Sequence, residues 1–282
     1  MGVKHYLLMM RPANSALSGF GAAFAVLAYT GYSPRSLLLP TCAFATGFLL
    51  TASSMLVNDV VDVEVDRVNK PWKPLPSGKA SPRAALALAA AFFLAGVLSG
   101  LPAGWPAVLV ALAYGLLGVS YSYARKHWLS STMVAASTTG PVVYGYVVAG
   151  LPAGLEAFTI VFAATMFLVT LGREYLKSVQ DYEGDLKQGY KTIATVFGVE
   201  AAYKAMLAVG AGGAALGLST LLLPGLSHAY KALIVLAAAA YLLSITRAYK
   251  ERTSRALEKS RRATLAAMAI GMAAFWLSRW GV

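Results

Sequence analysis

Nine apolar stretches, each near the ~20 residues that a helix needs to cross a hydrocarbon core, constrain this chain more than any other feature. They run over 14–32, 36–57, 83–101, 104–122, 131–150, 154–172, 202–223, 229–247 and 263–281. Of the 282 residues, 58% are hydrophobic and 13% charged, against about 25% charged in a soluble domain. That deficit excludes a disordered chain, a protein that coats nucleic acid, and an ordinary cytosolic enzyme. The single cysteine, Cys42, excludes a disulfide framework and a cysteine metal cluster. Arg11-Pro12 interrupts the short apolar patch Tyr6–Met10 and no small-residue cleavage site follows, so no signal peptide is expected. The expected fold is all-α: one domain over 1–282, a polytopic membrane bundle of nine transmembrane helices around a central cavity.

With nine spans, the N-terminal segment and the connections 2–3, 4–5, 6–7 and 8–9 share one side. That side carries 21 of the 24 Lys and Arg, leaving only Arg35, Lys231 and Arg279 opposite. Eleven of the twelve acids lie there too, Glu156 being the exception. The positive-inside rule makes the crowded side cytoplasmic. A multi-pass protein of the cell membrane is expected, its chemistry facing the cytoplasm from two long connections, about 58–82 and 173–200.

The first connection opens Asn58-Asp59-Val60-Val61-Asp62-Val63-Glu64-Val65-Asp66. Steps of four residues advance about 400° on a helix, so Asn58, Asp62 and Asp66 fall on one stripe. Stacked carboxylates destabilise a helix, and charge beside hydrocarbon costs several kcal/mol. Basic partners could compensate. A hard cation could as well: Mg²⁺ takes one or two carboxylates together with substrate phosphates.

The second connection opens Arg173-Glu174-Tyr175-Leu176-Lys177 and continues through Asp181 to Asp185. Lys177, Asp181 and Asp185 repeat the stripe at a constant offset of 119 residues from Asn58, Asp62 and Asp66. Each motif follows an even-numbered span. This spacing suggests a 4+4 internal repeat with a ninth span appended, the two acidic stripes facing each other.

Bases follow both stripes. Arg67, Lys70 and Lys73 precede Pro74-Leu75-Pro76-Ser77-Gly78; Lys187 and Lys191 follow the second motif; the 4–5 connection offers Tyr121, Tyr123, Arg125 and Lys126. Carboxylates that hold metal, mixed with bases that reach phosphate oxygens, suit a diphosphate. Apolar spans beneath suit a lipid tail. Together they point to an isoprenyl diphosphate with its head at the cytoplasmic rim.

These residues resemble a known family. Asn58-Asp59-x-x-Asp62-x-x-x-Asp66 with the tail Lys73-Pro74-Leu75-Pro76-Ser77-Gly78 is similar to the first signature of the UbiA-type membrane prenyltransferases, and Asp181-x-x-x-Asp185 to the second. Tyr121-x-x-x-Arg125 resembles the family's Tyr-x-x-x-Lys element, with Arg125 in the Lys place and Lys126 adjacent. Met10-Arg11-Pro12-x-Asn14 and Arg173-Glu174-x-x-Lys177 resemble the family's archaeal ether-lipid branch. The resemblance implies nine helices and Mg²⁺-dependent transfer of a geranylgeranyl group from geranylgeranyl diphosphate to a lipid hydroxyl, that of geranylgeranylglyceryl phosphate. An aromatic acceptor such as 4-hydroxybenzoate is the alternative within the family.

On that reading Asn58, Asp62, Asp66, Asp181 and Asp185 form the catalytic set, the four aspartates holding the metal. Arg67, Lys73, Arg125, Lys126, Lys177 and Lys191 are candidates for phosphate contacts, and Tyr121 and Asn14 for substrate contacts. Tyr144, with Tyr146, could stabilise an allylic cation through its π face. Arg11 or Arg173 could hold an acceptor phosphate. The base that takes the acceptor proton stays open among Glu174, Asp59 and released diphosphate. Two other classes fit these residues less well. A CDP-alcohol phosphotransferase needs Gly-x-x-Ala-Arg after its second acid, whereas Val63 follows Asp62. A cation transporter needs acids in mid-span, and every acid here lies at or beyond a span end.

Overall fold

The computed structural model describes residues 2–33, 36–124 and 126–281, and the described residues form helices and no strands. In chain order the helices are α1 (Val3–Met9), α2 (Pro12–Tyr29), α3 (Leu38–Val61), α4 (Val63–Asn69), α5 (Pro82–Leu98), α6 (Trp105–Ala124), α7 (Ser130–Thr138), α8 (Gly140–Val148), α9 (Glu156–Gln180), α10 (Tyr182–Gln188), α11 (Ile193–Phe197), α12 (Val199–Ser219), α13 (His228–Glu251) and α14 (Ser254–Trp276). Among the described residues, six helical stretches are long and apolar enough to cross a membrane: Leu38–Val61, Pro82–Ala103, Trp105–Ala124, Glu156–Gln180, Val199–Leu222 and His228–Glu251.

The three other expected spans take different forms. The first is α2, 18 residues long. The fifth divides between α7 and α8 at Thr139, beside Pro141, whose ring removes a backbone donor from the helix. The ninth is the apolar half of α14, whose first half carries Arg255, Glu258, Lys259, Arg261 and Arg262.

The chain divides into two compact units. One holds residues 1–26, 35–123 and 143–150; the other holds 27–34, 124–142 and 151–282. In the first, α3 packs along α5. Small residues let backbones approach: a Cβ on Gly47 of α3 would stand 2.6 Å from the Ser18 carbonyl oxygen of α2. Met9, Met10, Leu56, Val57 and Leu75 close a buried cluster beneath the first acidic connection.

In the second unit α12 packs along α9, and glycines again make the seam. A Cβ on Gly213 would meet Leu168 at 2.8 Å, whereas the same atom on Gly212 would meet nothing within 4 Å. Interfaces of this kind rest on van der Waals packing of small residues, since lipid offers helices no hydrophobic drive to associate. Tyr241 of α13 is buried against α9 and donates to the Val169 carbonyl at 2.6 Å. Phe158, Phe162, Tyr230, Phe275 and Tyr29 stack into an aromatic core.

Candidate active site

Both acidic motifs sit where a membrane-length helix ends. Helix α3 runs 24 residues and stops at Val61; Asp62 follows with φ −84° and ψ 1°, and the seven-residue α4 begins at Val63. Helix α9 runs 25 residues and stops at Gln180; Asp181 follows with φ −94° and ψ 7°, and the seven-residue α10 begins at Tyr182. The expected continuous stripe is therefore interrupted at its first acid in each motif. These dihedrals lie in the sparsely populated bridge region. The four-residue hydrogen-bond step nevertheless persists, from Asp62 N–H to Asn58 and from Asp66 N–H to Asp62, at 2.9 and 2.8 Å. In the second motif Asp181 N–H donates to Lys177 and Asp185 N–H to Asp181, each at 2.9 Å. The side chains keep their four-residue register while the helix is pinched.

In the first unit the tail that follows α4 folds back onto the motif. Lys73 Nζ lies 2.5 Å from Asp66 Oδ2 and 3.0 Å from Asp59 Oδ1, and both carboxylates are buried. Burial alone would lower the Lys73 pKa; hydrogen bonds to Asp66 and Asp59 and their charges outweigh it and hold the ammonium above its ordinary value. Lys70 stands 3.9 Å from Asp66. Arg11 occupies the left-handed region at φ 47°, where the chain turns from α1 into α2. One of its nitrogens donates to Asp59 at 3.2 Å and the other to the Met55 sulfur at 3.1 Å.

Asp59 is thus the hub of this cluster, a role that the sequence had left as one option for a base. Its placement beside Asn58 was visible, but only the fold shows that Arg11 and Lys73 converge on it. Asn58 and Asp62 are half-buried at the end of α3. Arg67 is exposed and pairs with Glu64 at 3.0 Å. Asn14 is exposed in the first turn of α2, its N–H donating to the Arg11 carbonyl at 2.9 Å. Tyr121 is half-buried on α6. Tyr144 is buried, its hydroxyl 2.9 Å from Thr46 Oγ1, and packs in the core between α3 and α8. Arg125 lies outside the described residues.

In the second unit Arg173 and Glu174, both largely buried, pair at 3.3 Å, and Lys177 stands 3.9 Å from Glu174. Asp181 is exposed and Asp185 half-buried. Burial first, and then the charge of Asp181, pushes the Asp185 carboxyl above its ordinary value, against the weaker pull of Lys177 and a hydrogen bond from Thr192. The Lys191 N–H donates to the Lys126 carbonyl at 3.1 Å, so the fold ties two candidate phosphate ligands from separate connections together. Gln180, next to Asp181, donates to Glu258 of α14 at 2.9 Å. This partner of the motif, 78 residues away, carries no local sequence signal. Within neither unit do three or more His, Cys, Asp or Glu side chains among the described residues converge as a ligand cage.

Two pinched acidic motifs at the ends of membrane-length helices, each followed by bases, define a class of intramembrane transferase. Residues 18–280 match the UbiA prenyltransferase family, and the chain belongs to that family of enzymes. Digeranylgeranylglyceryl phosphate synthase of Ignicoccus hospitalis is 32% identical over 283 residues, covering 98% of this chain and 92% of the relative. A solved structure of digeranylgeranylglyceryl phosphate synthase in membranes superposes with a TM-score of 0.88 at 22% identity, over 99% of both chains. A UbiA homologue from Archaeoglobus fulgidus bound to DMAPP and Mg²⁺ superposes with a TM-score of 0.73 at 22% identity, over 96% of this chain and 99% of that one.

Proposed function

We propose that this prenyltransferase moves a geranylgeranyl group from its diphosphate to the free hydroxyl of geranylgeranylglyceryl phosphate, completing the second ether bond of an archaeal lipid. The observation that carries the reading is the duplicated acid pinch, Asp62 after α3 and Asp181 after α9, each with a second aspartate one turn on. The kinship to digeranylgeranylglyceryl phosphate synthase over nearly the whole length supports the choice of acceptor. On this reading the nine apolar stretches all cross the membrane, the two halves descend from one repeat, and the chain 1–282 works as a single catalytic domain opening on the cytoplasm.

The donor set fits Mg²⁺. Asp181 and Asp185 stand one helical turn apart, and burial first, then the charge of Asp181, raises the pKa of Asp185. Hard oxygen ligands left short of positive charge are what Mg²⁺ takes. Asp62 and Asn58 would hold it in the first motif together with Asp66, whose carboxylate in this structure pairs with Lys73 and Lys70 instead, and Asp181 and Asp185 would hold it in the second. When bound, the metal neutralises the diphosphate leaving group. Lys126, Lys177 and Lys191 would contact phosphate oxygens, and Arg67 and Arg125 are further candidates for that contact. Lys73 holds Asp66 and Asp59 in place. The apolar walls keep water from the allylic carbon as the C–O bond breaks, and the lipid hydroxyl attacks there, its proton leaving to Glu174, Asp59 or diphosphate.

The test is purified protein with labelled geranylgeranyl diphosphate and two acceptors, geranylgeranylglyceryl phosphate and 4-hydroxybenzoate. Product from the lipid alone, lost with EDTA and lost in Asp62→Ala and Asp181→Ala, is the expected result. Turnover only with the aromatic acid would overturn the acceptor assignment.

A further inference from the structure

Beside the first acidic motif lies a cleft of about 400 Å³ that shares Asp59 and Lys73 with it and adds Lys4 and Lys79, to which the proposed reaction gives no role. Four cationic side chains line it, Lys4, Arg11, Lys73 and Lys79, against the single carboxylate of Asp59. That carboxylate is already engaged: Arg11 reaches it at 3.2 Å and Lys73 at 3.0 Å. Lys4 and Lys79 are exposed, and among the described residues neither forms an ion pair. The cleft therefore holds two uncommitted ammonium groups brought together from α1 and from the turn after Gly78, 75 residues apart in the chain. Its volume is that of a small-molecule site.

The rim says what kind of anion. Leu8 is 58% exposed and Trp72 72% exposed, and both line the cleft. An exposed Trp beside exposed Leu and Lys is the composition of a membrane–water boundary. Cationic and exposed apolar side chains lining one cleft together match a headgroup attached to a lipid chain. A phosphomonoester, with a charge of about −1.5 to −2 at neutral pH, answers the two free ammonium groups better than a singly charged phosphodiester.

We infer that this cleft binds the phosphate of a lipid phosphomonoester, through Lys4 and Lys79 with Arg11 at its inner wall. The inference rests on the proposed function in one respect, that the lipid seated there is the acceptor. Arg11, Lys73 and Asp59 belong both to the cleft and to the first motif, so a lipid held here by its phosphate keeps its glycerol on the side of that motif.

The experiment measures binding of a labelled dialkylglycerol phosphate and of the matching uncharged dialkylglycerol to the full-length protein in detergent micelles, with inorganic phosphate as competitor. Wild type should bind the phosphate lipid about tenfold tighter than the alcohol, as charge-assisted hydrogen bonds to phosphate allow. Lys4→Gln/Lys79→Gln should erase that difference, Lys4→Arg/Lys79→Arg should keep it, and the KM for geranylgeranyl diphosphate should stay unchanged in both. Unaltered lipid-phosphate binding in the Gln pair would overturn the inference. So would inorganic phosphate competing as strongly as the lipid, which would make this a site for free anions. Lysine-dependent lipid-phosphate binding without turnover of geranylgeranylglyceryl phosphate would uphold the cleft and defeat the acceptor reading instead.

Discussion

Lys73 and Asp66 meet at 2.5 Å, and the same ammonium reaches Asp59, so one cation from the Lys-Pro-Leu-Pro-Ser-Gly tail bridges two buried carboxylates of the motif before it. The tail is thereby part of the motif's electrostatics.

Lys73→Met should therefore cost stability as well as activity. Removing one partner of a buried charge cluster typically costs about 3–5 kcal/mol. Calorimetry of the purified protein should show a lowered Tm, with Asp59→Asn in the same background restoring part of it. The folded pKa of Lys73 lies above its ordinary 10.5, so its stabilisation is whole below 10.5 and is lost as pH rises through the folded value. The wild-type advantage over Lys73→Met should fade only in that alkaline range.

Asp185 carries the opposite sign. Its folded pKa is raised above 3.8, chiefly by burial and then by Asp181, so the ionised form is strained in the metal-free protein. Stability from this group is greatest below 3.8 and declines as pH rises through the folded value. Asp185→Asn should raise the Tm of protein kept in EDTA at neutral pH while lowering turnover by at least the roughly 10–100-fold that loss of a mere outer-shell partner of a metal costs. A lower Tm for the variant in EDTA would contradict this account.

Adjacent glycines on α12 give a matched pair. Gly213→Ala drives a Cβ to 2.8 Å from Leu168 and should cost about 1–3 kcal/mol through overpacking. Gly212→Ala faces open space and should be neutral or stabilising, by up to about 1 kcal/mol, from helix propensity alone. Thermal melts of the two variants side by side decide it.

Glu258 is held down to about 2 by the hydrogen bond from Gln180, then by Arg262 and Arg261. Its contribution is complete above the ordinary 4.5 and disappears as pH falls towards 2. The stability gap between wild type and Glu258→Ala should close over that acid range. Because Gln180 precedes Asp181, the same variant should also lower kcat several-fold, while the KM for the acceptor stays put.

The sequence showed its long apolar helices plainly, because a hydrophobic run near 20 residues has few other uses. Of the glycines along α12, Gly210, Gly213 and Gly217 lie at helix contacts and Gly212 does not; composition cannot tell which face of a helix a glycine occupies. The carboxylate spacing was legible and the pinch at Asp62 and Asp181 was not, since periodicity assumes uniform dihedrals. Asp59's central place needed Arg11, 48 residues upstream, and Lys73, 14 residues downstream, to arrive from opposite directions. Separations of that kind leave no local pattern. Gln180's pairing with Glu258 escaped for the same reason.

A one-residue interruption has a mechanical corollary. The segments Val63–Asn69 and Tyr182–Gln188 are joined to their long anchors through the φ and ψ of a single aspartate each, the only soft torsions a peptide unit leaves. Re-aiming either short segment leaves the dihedrals of the long helix before it untouched. Substitutions confined to those two heptapeptides can thus reshape the acidic rim while α3 and α9 are inherited unchanged.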